Sequence, residues 1–119
     1  MDTRTKIVSR QEALRLAEAG ATVVSGFFDP LIAGHAQRLQ ELKNAAPLLV
    51  LIATPEDPIL PARARAELVA SLAVVDHVSE WSDEGSGELR PQIRLEQEDT
   101  GRLERLIEHV HQRQREASD

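Results

Sequence analysis

The sequence predicts a three-layer α/β domain on a parallel sheet, and three observations carry that expectation. Short apolar or β-branched runs alternate with stretches of helical hydrophobic spacing. One run, Leu48 to Ala53 (LLVLIA), is continuously apolar, as a parallel strand covered on both faces requires. The order is a helix followed by repeated strand–helix pairs, which layers helices on either side of a sheet. With 119 residues the chain fits one domain, 1–119, with one modest core.

The elements follow in order. Ser9-Arg10-Gln11-Glu12 is a capping-box pattern, opening a helix expected to reach about Ala19 before Gly20. Ala21 to Ser25 (ATVVS) is a strand by residue type, and Pro30 in Phe27-Phe28-Asp29-Pro30 ends it. From about Gly34 to Asn44, Ala36, Leu39 and Leu42 give a helix one apolar face. Leu48 to Ala53 is the second strand, and Thr54 to Pro61 a proline-rich loop. Arg63 to Ala73 is expected to be helical, with Leu68, Val69 and Leu72 facing inward, and Val74 to Val78 forms a third strand. Ser82 to Glu88 (SDEGSGE) has no period and reads as a mobile loop. Gln92 to Leu95 is a weak fourth strand. Thr100 then caps a helix with Leu103, Leu106, Ile107 and Val110 at amphipathic spacing, and a polar tail begins near Arg113.

Composition narrows the function. The absence of Cys removes thiolate metal sites and Cys nucleophiles. A net charge of −6 argues against a nucleic-acid binder, which needs a basic face. No apolar run approaches the ~20 residues of a membrane span. The polar start, Met1 to Val8, lacks the apolar region of a signal peptide, so a cytoplasmic protein is expected.

In such sheets ligands bind beyond the carboxyl ends of the strands, where strand order reverses. The loop after the first strand therefore draws interest: Gly26-Phe27-Phe28-Asp29-Pro30-Leu31-Ile32-Ala33-Gly34-His35. It closely resembles the GxFDxLHxGH signature of the cytidylyltransferase-like nucleotidyltransferases. The similarity extends to Arg65-Ala66-Glu67-Leu68 with Val75-Asp76-His77-Val78, and the lead-in Lys6-Ile7-Val8-Ser9 is similar to the heptose adenylyltransferase branch. About two-thirds of the chain, roughly residues 6 to 81, is covered.

The resemblance implies a Rossmann-like (HUP-type) sheet of strand order 3-2-1-4. It implies transfer of a nucleotidyl group from CTP or ATP to a small phosphorylated acceptor, with Mg²⁺ bridging the phosphates of the bound nucleotide. It also implies a homodimer. His35 takes the catalytic place, stabilising charge that develops as pyrophosphate leaves. The nucleotide-binding positions carried over are Gly26, Phe27, Phe28, Asp29, Gly34, Lys43, Arg65 and Thr100. No protein-held metal is implied.

Departures from the pattern are as informative. Ile32 stands where the first histidine of HxGH belongs, and loss of one such donor costs ~3–4 kcal/mol in a transition state. The loop after Thr54 is shortened. Glu96, Glu98 and Asp99 stand before Thr100, where a triphosphate needs cations, and they are expected to face the nucleotide crevice. Bland readings exist for each residue. His35 is then a packed helix-terminal histidine, Asp29 a turn or helix cap, Asp76 architectural and Lys43 a solvated helix residue. Arg65 would be a partner of Glu67 or Asp76. His109 and His111, two apart on a helix, make a poor metal pair. Two functions stay open: a nucleotidyltransferase with weak or lost activity, or a non-catalytic nucleotide-sensing or protein-interaction domain.

Overall fold

The structure is a computed structural model and describes residues 3–82 and 89–98. After a 3-10 turn at Thr3–Lys6 come α1 (Arg10–Glu18), β1 (Thr22–Gly26), α2 (Ala33–Leu42), β2 (Leu48–Ile52), α3 (Ala62–Ala70), β3 (His77–Glu80) and β4 (Ile93–Arg94), with helical residues again at 95–98. The strands form one all-parallel sheet in the order β3-β2-β1-β4, as expected. Ile7 adds an isolated parallel bridge to Val78. Among the described residues, no helix is long and apolar enough to cross a membrane.

The continuous apolar run explains the layering. Side chains alternate across a strand, so Leu48, Val50 and Ile52 join one core with Val24, Leu39 of α2 and Ala66, Val69 and Ala70 of α3. Leu49 and Leu51 join the other core, with Val23, Ala13 of α1, Trp81 and Leu89. All five residues of β2 are buried, each worth about 1.5–3 kcal/mol of burial. Helix α1 starts as its sequence predicts: the Ser9 hydroxyl accepts from the Glu12 N–H at 3.2 Å. It ends at Gly20, whose φ of +106° costs glycine little.

Three expectations need correction. Leu68 is 42% exposed, because the buried stripe of α3 is Arg65, Ala66, Val69 and Ala70. A buried guanidinium takes the place an apolar count would give to leucine. The third strand begins at His77, not Val74, because the chain after α3 turns and is then pinned at Asp76. The fourth strand is only two residues long, since residue 95 already belongs to a helix. The segment 83–88, the stretch from Asp99 through the Thr100 helix, and the tail lie outside the described residues.

Asp76 organises the amino edge of the sheet. Its Oδ2 accepts from the Leu48 N–H and from Lys43 Nζ, both at 2.7 Å, and Lys43 also donates to the Ala46 carbonyl. Burial alone would push this carboxyl up. The Lys43 ammonium and the Leu48 N–H outweigh it and hold Asp76 below the usual carboxylate range. A carboxyl depressed in the folded state stabilises above its unfolded pKa of about 3.9, and that contribution fades as pH falls through the lower folded value. We therefore expect Asp76→Asn to lower the melting temperature at pH 7 by several degrees, about 4–8 °C per kcal/mol lost. The gap to wild type should close as the pH is taken below about 4. A gap that is constant across a pH series of thermal melts would disprove the role.

Candidate functional site

The loop after β1 is built around a close approach. Phe28 has φ +50°, in the left-handed region that bulky residues seldom occupy. This turns its ring back under Gly26, where a Cβ would lie 2.6 Å from two ring carbons. Only glycine fits there. The ring is buried and meets the His35 imidazole edge-on, with centroids 5.4 Å apart and planes at 78°. The Asp29–Pro30 peptide bond is cis.

Asp29 is engaged by the chain itself. Its two oxygens accept the N–H groups of Ile59 (2.6 Å) and Leu60 (2.7 Å), tying the β1 loop to the proline-rich loop before α3. Arg65 grips the same region from inside. It is 1% exposed, and its guanidinium donates to the carbonyls of Leu60 (3.0 Å), Phe27 (3.1 Å) and Ala53 (2.6 Å) and to the Thr54 hydroxyl (3.3 Å). It pairs with neither Glu67 nor Asp76. A nucleotide role carried over for Arg65 gives way to a structural one, because its N–H groups point at the chain.

Lys43 is likewise misplaced for nucleotide binding. It sits at the amino edge, on Asp76, while the loop leaves the carboxyl edge, about 17 Å away for a five-residue strand. Gly34 lies in the first turn of α2. His35 is 7% exposed, and its Nδ1 accepts the Ile32 N–H at 3.2 Å. The ring thereby caps α2, a job the Ile32 side chain cannot do, and its proton belongs on Nε2. Ile32 itself is 54% exposed. Thr100 lies outside the described residues.

The acidic segment runs beside the loop, and its two described carboxylates, Glu96 and Glu98, are both engaged by other side chains. Ser25, fully buried at the end of β1, has its hydroxyl 2.9 and 2.8 Å from the two Glu96 oxygens. Glu98 meets Arg38 of α2 through two hydrogen bonds, at 3.2 and 3.0 Å, so the expectation that it faces the crevice is corrected. Asp99 is not among the described residues. Between these groups and β2 opens a cleft of about 280 Å³, lined by Phe27, Thr54, Trp81, Arg94 and Glu96 among others. The Arg94 guanidinium lies 5.4 Å over the Trp81 ring, whose Nε1 donates to the Leu89 carbonyl.

Sequence reasoning missed Ser25, Trp81 and Arg94. A hydroxyl at a core position of a strand and the single Trp at a strand end were the signals available. No family model matches the chain, and no curated protein matches it.

Two outcomes test this geometry. Arg65→Lys should destabilise the protein by about 2–3 kcal/mol, since one ammonium cannot serve oxygens on three segments and unsatisfied buried carbonyls cost ~1–3 kcal/mol. The amides of Ile59 and Leu60 should then exchange faster with deuterium; unchanged exchange would dissociate Arg65 from the loop. Gly26→Ala should expel the Phe28 ring, seen as loss of the ring-current shift on the His35 protons. Retention of that shift would show that the loop tolerates a Cβ.

Proposed function

We propose that this chain binds a nucleotide at the carboxyl edge of its sheet and transfers a nucleotidyl group weakly or not at all. The observation that carries the reading is the Gly26–His35 loop, which resembles the HxGH signature and leaves β1 beside a cleft at the reversal of strand order. In this reading the Phe27 backbone and Thr54 line the nucleotide's seat. Arg94, lying over the nearly buried Trp81 ring, lends that seat a cationic wall. His35 stands at the opening of α2, where the second histidine of the signature belongs.

Loss of transfer follows from two groups. The exposed Ile32 supplies no second donor for the charge that develops on the phosphate, a deficit of ~3–4 kcal/mol, or several hundredfold in rate. Glu96 brings a negative charge to the cleft; at ~5 Å and an effective dielectric of ~20 it opposes each phosphate charge by about 3 kcal/mol before screening. One carboxylate among the cleft's described lining residues, with the phosphates of a bound nucleotide, is a donor set that suits Mg²⁺. Glu96 would hold the ion, which would neutralise phosphate charge.

The test is calorimetry with AMP, CMP, ATP and CTP, with and without Mg²⁺. Monophosphates should bind better than metal-free triphosphates, and Mg²⁺ should restore the triphosphates. Glu96→Gln should strengthen metal-free triphosphate binding about tenfold or more and reduce the Mg²⁺ dependence. Pyrophosphate release should be very slow in the wild type and should stay so in Ile32→His. Absence of binding by all four nucleotides would reject the reading, and rapid pyrophosphate release would reject the loss of activity.

A further inference from the structure

One side of β3 is only half covered. It pairs with β2 on one side, and on the other Ile7 and Val8 run beside Val78, the Val8 N–H donating to the Val78 carbonyl at 2.8 Å. Ser9 then caps α1 and carries the chain away. Successive residues of a strand turn their backbone N–H and C=O to opposite sides. The Trp81 N–H donates to the Ile52 carbonyl of β2 at 3.0 Å, so Ser79 and Trp81 face β2 while Val78 and Glu80 face outward. The position after Val8 in this lane, opposite Glu80, is left without a strand. Among the described residues no backbone partner meets the Glu80 N–H on that side, and its carbonyl receives only the Ser79 hydroxyl, at a marginal 3.5 Å.

We propose that this gap is a peptide-binding lane, in which an extended peptide ending in a free carboxylate adds beside β3 where Ile7 and Val8 leave off. Addition to an exposed strand edge draws its affinity from main-chain hydrogen bonds, which any side chain permits. The gap is concave. A groove of about 410 Å³ lies there, lined by Ile7, Val8, Arg10, Arg63, Ser79 and Glu80 among others. Phe27, Arg94 and Glu96, which line the nucleotide seat, do not border it, so the lane does not depend on that reading.

Charge selects the occupant. Arg10 opens α1 and Arg63 stands in the first turn of α3, and these helices cover opposite faces of the sheet, so the two arginines flank the lane. Arg10 makes no ion pair or side-chain hydrogen bond among the described residues. Arg63 meets Glu67 only through Nε, at 3.4 Å. Glu80 is the one carboxylate among the groove's described lining residues, so cations prevail here in a chain of net charge −6. An extended peptide sends alternate side chains to the two faces, but its terminal carboxylate lies in the lane itself. There it accepts from guanidinium groups on both flanks. A strand that runs on without an end brings no such charge. Glu80 opposes an acidic side chain at the neighbouring position and accepts a basic one.

The probe is a pool of acetylated pentapeptides with randomised side chains and free carboxyl ends, followed by amide chemical shifts and deuterium exchange on the full chain. The pool should shift the amides of Val8, Arg10, Arg63 and Glu80 and slow exchange at Glu80, the mark of a new main-chain hydrogen bond. The same pool with amidated ends should bind about tenfold more weakly, and a pool N-methylated along its backbone should not bind. The double variant Arg10→Gln, Arg63→Gln, its spectrum otherwise unchanged, should bind the free-acid pool as weakly as wild type binds the amidated one. No shift at Glu80 with the free-acid pool, or equal binding of the free-acid and N-methylated pools, would overturn the proposal. So would shifts at these residues that grow with protein concentration alone, which would put a second copy of the chain in the lane.

Discussion

Arg65 is solvated by the chain instead of by water. Its N–H groups go to Ala53, Phe27, Leu60 and Thr54, and a guanidinium stripped of water needs such acceptors already in place to offset its desolvation. Those oxygens belong to the ends of β1 and β2 and to the approach to α3, so one side chain sets the mutual position of three segments. Asp29 holds the same approach from the other side through the Ile59 and Leu60 amides. The lead-in to α3 is thus gripped by a cation on its carbonyl and an anion on its N–H groups. The cleft's wall at Phe27 and Thr54 keeps its shape because this region is locked.

The two edges of the sheet divide the labour of the charged residues. At the amino edge, Lys43 and Asp76 close the junction between α2, β2 and β3. At the carboxyl edge, some charges are consumed in holding loops, as with Asp29 and Arg65, and others cross between elements, as with Arg38 and Glu98. Around Trp81 a smaller set stands close together, with Arg94 and Glu96 on one side and Arg10 and Glu80 on the other. Net charge alone hides this, because opposite charges are partitioned within a few residues of one another.

The sheet was legible in the sequence because its signals are periodic. The run Leu48–Ile52 could be satisfied only between two layers, and Ser9 with Glu12 announced α1. Boundaries were less legible where a side chain, not a period, decides them. Asp76 delays β3 to His77, and the burial of Arg65 turns Leu68 outward, neither of which hydropathy can foresee. The loop Gly26–His35 was found by its motif, but the motif did not say that Asp29 and Arg65 serve the loop itself. Ser25, Trp81 and Arg94 were missed because their role depends on which strands are neighbours. The pairing Ser25↔Arg94 brings together residues far apart in the chain, and no local pattern encodes it.

Trp81 is the single tryptophan of a chain without tyrosine, and it lines the cleft, nearly buried and beneath a guanidinium. The protein thus carries its own optical probe in the wall of that cleft. Indole emission depends on the polarity and charge next to the ring. Water displaced from the cleft, or Arg94 drawn off the ring face, alters the colour and yield of a signal with no competing source. Excitation near the red edge of the indole band reads that one position, free of label and free of background from elsewhere in the fold.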